Sequence, residues 1–310
     1  MLKVMVDAGW LPGGTAVVGT GSMWEFVAVG GIVGGRGDLL SGPDVRYDVA
    51  SLTKVMATWP LAGRAAREGL LGLDEPLGRY VPGGPYPGGE VTARQILTHT
   101  SRLNPVSWLE TYVGTEQDLA EAILSEPLDE EGYRYIDRGF ILLGLVLERL
   151  LGLTLDAAMH DLWREAGMSA TGYGPIPRSP AVAPTERRIP GAGPAWGVVH
   201  DEAAALMGGI AGHAGLFSTA IDVGAFAREV LRSAEGRRAR CSRRSTCTRA
   251  GGRRSASTTG SPAAWPGSST TKGWSTTTAT PGPACSCSRP PAATSACSPT
   301  RCTTAAGAPA

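Results

Sequence analysis

Beyond Glu235 the chain contains no acidic residue and no Leu, Ile, Val, Met, Phe or Tyr. A segment without branched aliphatics cannot bury enough apolar surface to offset the entropy of ordering it. Any sizeable core must therefore come from residues 1–235. The remaining stretch, 236–310, holds all six cysteines and eleven of the 29 basic residues. Setting it aside leaves 18 basic against 28 acidic residues, a net charge of −10 where the whole chain shows +1. The front is an acidic, cysteine-free domain; the tail reads as a low-complexity segment, disordered or out of frame.

Arginine and cysteine in the tail invite two functional readings, nucleic-acid binding and metal binding. Cys285 and Cys287 are spaced C-x-C, with no C-x-x-C and no histidine among residues 236–310. That spacing does not make a zinc site, and a basic arm of this kind is unspecific. Neither a metal nor a nucleic-acid partner is expected. A shifted reading frame accounts for the tail better. Joining each residue's first two codon bases to the preceding base makes Thr280-Pro281-Gly282 compatible with His-Thr-Gly. The same shift turns cysteine codons into Leu, Val or Met codons. An export signal is not evident in Met1–Trp10, and no run approaches 18 apolar residues. A cytoplasmic protein without a membrane partner is the default expectation, although a truncated start could have lost a signal.

Periodicity organises the front. Residues 14–20 and 24–30 read as a hairpin around Gly21-Ser22, followed by a glycine-rich loop. A helix is expected from about Ser51 towards Glu68, ending by Gly69. Pro60 inside it leaves the Met56 carbonyl without its helical partner, so a kink is expected. Thr92 and Gln95 form a capping box that opens a second helix. Thr115 can cap a third through about Leu124. Phe140, Leu143, Leu147 and Leu150 fall at helical spacing between Arg138 and Leu151, with Gly152 as the stop. Thr154 caps the next helix, and Thr219 with Asp222 opens the last. Nothing after it has the composition to return to a sheet.

Ser51-Leu52-Thr53-Lys54 is an S-x-x-K at the start of an apolar helix. Residues three apart share a helical face, so the ammonium of Lys54 can reach the Ser51 hydroxyl. Serine is a weak nucleophile until a neighbour accepts its proton. Lysine can do this once desolvation or a nearby positive charge brings its pKa well below about 10.4; arginine cannot. Lys54 is one of three lysines, with Lys3 and Lys272, in a chain otherwise rich in arginine. The motif alone is cheap, since Ser269-Thr-Thr-Lys272 matches it as well. Four histidines, His99, His160, His200 and His213, leave a Ser-His-Asp arrangement open, but no G-x-S-x-G supports a nucleophile elbow. His99 and His213 read as structural turn residues. His200-Asp201-Glu202 lacks the ligand geometry of a metal site.

Context adds specificity. Tyr47-Asp-Val-Ala-Ser-Leu-Thr-Lys-Val-Met-Ala-Thr58 resembles the nucleophile segment of the family formed by class C β-lactamases, D,D-peptidases (penicillin-binding proteins) and related esterases. Ile96-Leu-Thr-His-Thr-Ser101 is similar to that family's turn, with Arg102 in place of its glycine. Tyr135-Ile136-Asp137, followed by Leu142-Leu143-Gly144, resembles its second motif, Y-x-N. Gly209-Ile-Ala-Gly-His-Ala-Gly-Leu-Phe-Ser-Thr-Ala220 is similar to its glycine-rich segment. These matches are ordered along residues 47–220.

The resemblance implies an α+β fold of the β-lactamase/transpeptidase type. Its mainly antiparallel sheet is flanked by helices, with a helical subdomain and the site between them. It also implies that the C-terminal strands are missing from this chain. The implied reaction is acyl transfer through Ser51, activated by Lys54, with Tyr135 near the hydroxyl and sharing the proton transfer. Asp137 would contact substrate. An ionised carboxylate accepts but cannot donate, which favours an esterase or D-amino-acid peptidase over a β-lactamase. The substrate would be a small ester, amide or β-lactam, and no cofactor is required. The family's third motif, K-T-G or H-T-G, is absent as written; Lys272 is followed by Gly273-Trp274. Its strand supplies one oxyanion-hole N–H, and losing one such donor costs about 10²–10³ in kcat. The alternatives are an inactive frameshifted product, or a penicillin sensor that is acylated without turnover.

Overall fold

A computed structural model describes residues 1–20, 23–31, 41–105, 111, 118–186, 193–235 and 294–297. A short helix α1 (Leu2–Asp7) precedes the hairpin of β1 (Gly13–Gly19) and β2 (Trp24–Gly30), which pair antiparallel from Gly13↔Gly30 to Gly19↔Trp24. The hairpin is the one expected; its turn, Gly21-Ser22, lies outside the described residues. The third strand of this sheet was not expected. β6 (Thr294–Cys297) comes from the tail and pairs antiparallel with β1, Ala16 opposite Cys297 and Gly19 opposite Thr294, giving the order β2-β1-β6. The expectation that nothing returns to the sheet is corrected at these four residues. Ladder hydrogen bonds are made by the backbone, so strand pairing does not require branched aliphatics.

A second antiparallel sheet, ordered β3-β5-β4, joins Tyr47–Asp48 (β3), Leu216–Ser218 (β5) and Gly172–Tyr173 (β4). Between the sheet segments lies a helical body: α2 (Trp59–Arg67), α3 (Ala93–Leu97), α4 (Leu119–Leu124), α5 (Arg138–Leu151) and α6 (Leu155–Glu165). Helices α7 (Glu202–Leu206) and α8 (Ala220–Ala234) follow. The fold is thus mixed helix and antiparallel sheet, as the sequence implies. No helix among the described residues is long and apolar enough to cross a membrane.

α5 is the centre of the core. Nine of its fourteen residues are buried, and Ile141, Leu142, Leu143, Val146 and Leu147 have no exposed surface. Each such side chain contributes about 1.5–3 kcal/mol relative to leaving it in water. The helix ends at Gly152, whose φ of 65° is the left-handed cap that glycine adopts without a Cβ clash.

Helix starts follow the sequence with two exceptions. Thr92 and Gln95 make the reciprocal capping box, and Thr219 accepts from the Asp222 amide. At α4 the cap is Asp118, which accepts from the Glu121 amide; Thr115 lies outside the described residues. Thr154 occupies the N-cap of α6 without a side-chain hydrogen bond. Glu148 Oε1 instead accepts from the Leu155 amide at 2.9 Å.

Pro60 has a more specific consequence than a kink. The five residues Lys54–Thr58 form a π-helical turn that passes into α2. The Met56 carbonyl, which proline leaves without a helical donor, accepts from the Trp163 indole Nε1 at 2.9 Å. A tryptophan on α6 therefore completes the helix that carries Lys54. An unpaired buried carbonyl would cost about 1–3 kcal/mol.

Candidate active site

Ser51 follows a strained turn. Ala50 has a φ of 46°, a left-handed conformation that costs an L-residue roughly 1–2 kcal/mol. Its neighbours hold it there. Asp48 Oδ1 accepts from the Ala50 amide at 2.8 Å, and Thr53 Oγ1 donates to the Ala50 carbonyl at 2.7 Å. The second oxygen of Asp48 accepts from the His200 amide at 2.7 Å. Burial pushes the Asp48 carboxyl above its usual range against the pull of those two N–H donors. The result is a serine that is exposed at the entrance to a helix whose next turn is buried.

Lys54 lies in that buried turn, 2% exposed. Its Nζ donates to three acceptors: Ser51 Oγ at 2.9 Å, Asp137 Oδ1 at 2.6 Å and the His213 carbonyl at 3.2 Å. The S-x-x-K spacing thus brings hydroxyl and amine together as expected, and the Asp137 carboxylate closes the other side. Asp137 occupies the N-cap of α5 but makes no cap hydrogen bond, because its side chain is turned to Lys54.

Tyr135 is brought to the same place by a different contact than expected. Its ring faces the ammonium, 5.0 Å from Lys54 Nζ to the centroid, and the residue is half exposed. Among the described residues its hydroxyl makes no hydrogen bond to Ser51 or Lys54. The ring stacks on His99 at 4.4 Å and 30°. His99, at a φ of 57°, is a turn residue as expected. Burial, then the charge of Lys54, push its imidazole below its ordinary pKa. Tyr135 and Asp137 thus form the rim of the site, and Lys54 its floor.

The glycine-rich segment seals that floor. Gly212 passes so close to α5 that a Cβ there would overlap the Phe140 carbonyl, and its own carbonyl accepts from Thr58 Oγ1 at 2.6 Å. Four residues on, the Leu216 amide donates to Thr53 Oγ1 at 3.2 Å. Close backbone approach, rather than flexibility, is what the glycine serves. Sequence reading missed the next link. His213 is fully buried, and its Nε2 lies 2.8 Å from Asp201 Oδ1. No local signal could have shown that its carbonyl meets Lys54, a contact that spans 159 residues.

A Ser-His-Asp arrangement is not what the side chains build. The His213 ring faces Asp201, its Nδ1 has no partner among the described residues, and neither nitrogen bonds Ser51. His200 Nε2 is 2.7 Å from Glu186 Oε1. The described residues contain no cluster of His, Cys, Asp and Glu able to hold a metal ion.

Comparison with known proteins shows the family and the fold. A family profile described as beta-lactamase matches residues 1–284, reaching beyond Glu235. A penicillin-binding protein of Bacillus subtilis is 28% identical over 137 residues, 40% of this chain and 30% of that protein. A class C β-lactamase from Rhodobacter sphaeroides superposes with a TM-score of 0.60 at 22% identity, covering 76% of this chain and 64% of that one. A β-lactamase/D-alanine carboxypeptidase from Pseudomonas syringae gives 0.59 at 19% identity, over 76% and 63%. The matched stretches span half or less of the first curated relatives' length.

Proposed function

The chain belongs to the β-lactamase family of serine hydrolases, and on that premise we propose that it cleaves a small ester or amide through an acyl-enzyme on Ser51. The observation that carries this reading is the placement of Lys54 Nζ 2.9 Å from Ser51 Oγ with two further acceptors around it. A neutral amine has two N–H groups and one lone pair. Once Lys54 has given up one proton, Asp137 Oδ1 and the His213 carbonyl can take the two remaining N–H groups, and the lone pair then faces the Ser51 hydroxyl to which the ammonium donated. Position and direction of the base are then both set before substrate arrives.

In the acylation step Ser51 Oγ transfers its proton to Lys54 Nζ and attacks the carbonyl carbon. The Lys54 ammonium then returns a proton to the leaving oxygen or nitrogen as its bond to carbon breaks. Water attacks the resulting ester by the same route, giving its proton to Lys54, which passes it to Ser51 Oγ as the ester bond breaks and the acid leaves. The Ser51 amide belongs to the first helical turn, where N–H groups lack helical acceptors, and it is one donor for the developing oxyanion. Tyr135, whose ring lies 5.0 Å from Lys54 Nζ, is assigned the role of assisting the leaving group in this reading.

Asp137 gives the site its chemical preference. Its carboxylate accepts and cannot donate, so the acyl side of the substrate should offer an N–H or an ammonium rather than a carbonyl. That favours a D-aminoacyl ester or amide over a β-lactam. Hydrolysis of p-nitrophenyl esters and of nitrocefin by the chain and by Ser51→Ala tests the reading. The ester should be cleaved faster than nitrocefin, and the alanine variant should cleave neither. Equal rates for both proteins would remove Ser51 from the mechanism.

A further inference from the structure

We infer that the buried Asp201–His213 pair is a positioning element for Lys54, aiming the His213 carbonyl so that the amine's lone pair faces Ser51. The inference rests on the reading of Lys54 as proton acceptor given above. It starts from a geometrical need. If Asp137 alone held Lys54, the amine could rotate about its Cε–Nζ bond and present an N–H to the hydroxyl instead of a lone pair. The His213 carbonyl, 3.2 Å away, is the second fixed acceptor that prevents this.

Backbone ties hold Gly212 and Leu216 on either side of His213, and its own carbonyl is aimed by its ring. Gly212 lies on one side and Gly215, with a φ of 118°, two residues beyond. The fixed point is the ring. Nε2 of His213 is held by Asp201 Oδ1 at 2.8 Å, and the same oxygen accepts from the Ala204 amide at 2.8 Å as the N-cap of α7. Asp201 is thereby tied to a helix end, and His213 to Asp201. Burial alone would raise the Asp201 carboxyl, but the His213 hydrogen bond and charge, the Ala204 amide and Lys54 outweigh it and hold it at about 2. The acceptor therefore stays ionised across the neutral range. On either side of the ring, Thr58 Oγ1 to Gly212 O and Leu216 N to Thr53 Oγ1 tie the segment to the helix of Lys54.

Only Nε2 is engaged, since His213 Nδ1 has no partner among the described residues. This detail makes the idea testable by conservative exchange. Glutamine places an amide N–H at the distance of Nε2, whereas asparagine, one bond shorter, matches Nδ1 and does not reach Asp201. His213→Ala and His213→Asn should lower kcat for p-nitrophenyl acetate by about 10–100-fold, with KM within about twofold, the cost of a misaimed group. His213→Gln should recover to within about threefold of the parent.

A second readout does not depend on activity. The chain has three lysines, Lys3, Lys54 and Lys272. Lysine-selective isotope labelling therefore gives at most three side-chain ε signals by NMR, of which Lys54→Arg removes one. The Lys54 signal should move in the Ala and Asn variants and return in Gln. If the Ala variant does not fold, the Gln and Asn pair decides the matter alone. Unchanged Lys54 signals across folded Ala, Asn and Gln variants would overturn the inference. So would kcat losses that are equal in Gln and Asn, the pattern of a purely structural role. Should the parent show no Ser51-dependent hydrolysis, the reading of Lys54 as base fails, while the lysine signals still report whether His213 positions it.

Discussion

In the helical body α5 buries nine residues and its central leucines have no exposed surface, whereas no residue of β2 is buried. The two regions also differ in how they are assembled. The helical body is tied together by long-range side-chain links: Trp163 to the Met56 carbonyl, Thr58 to the Gly212 carbonyl, Lys54 to Asp137. The sheet β2-β1-β6 is a backbone ladder, with one strand contributed by the distant tail. None of the residues around the Lys54 amine belongs to that sheet; the ends of the helical body and the glycine-rich segment supply them. The comparison teaches that the site is an extension of the helical core, so its geometry should follow core packing and be indifferent to β2.

The sharpest way to break that contrast is to remove the amine itself. Lys54→Ala should lower ester hydrolysis by roughly 10³-fold or more, the loss expected when a nucleophile is deprived of its base. Steady-state rates on p-nitrophenyl acetate check this. Next in size, Leu143→Ala in the middle of α5 should destabilise the fold by about 2–5 kcal/mol, read from denaturant unfolding. Trp163→Phe keeps the ring packing but deprives the Met56 carbonyl of its donor. It should cost about 1–3 kcal/mol and lower kcat as well, because the π turn carrying Lys54 loses its brace.

Acid probes the floor from another side. The folded-state carboxyl of Asp201 is held down to about 2, below the ordinary aspartate value of 3.8. A depressed carboxyl stabilises the fold above its unfolded pKa. That contribution, on the order of 2 kcal/mol, should be present above about pH 4 and disappear as pH falls towards 2. Urea midpoints measured between pH 5 and pH 2 should fall less steeply in Asp201→Asn. The smallest effect belongs to the sheet. Val27→Thr on exposed β2 should change stability by no more than about 0.5 kcal/mol and leave kcat unaltered. A large change in kcat there would show that the two regions are coupled after all.

What could be read from the sequence was what is local. Capping at Thr92 and Thr219, the stop at Gly152 and the hairpin follow from residue types a few positions apart. S-x-x-K is local too, since helical spacing alone places Lys54 beside Ser51. Pro60 announced an orphaned Met56 carbonyl, but not that an indole 107 residues away would satisfy it. The same limit hid the contact of the His213 carbonyl with Lys54. A histidine between glycines looks like a turn, and its value lies in a carbonyl that any residue possesses. Asp118 replaced the expected Thr115 because several residues near a helix start can cap it, and register decides among them. Tyr135 was placed at the site by motif, yet its contact is through the ring face, which residue order does not encode. The β6 pairing was missed because composition argues about cores, while a ladder is made by the main chain.

The account stands or falls on a covalent intermediate at one residue. Acid-quenched chain, incubated with p-nitrophenyl acetate and digested, can be mapped by mass spectrometry. The acetyl group should sit on the peptide containing Ser51, and Lys54→Ala should acquire it roughly 10³-fold more slowly. An acetyl group found elsewhere, or acquired at the same rate without Lys54, would contradict it.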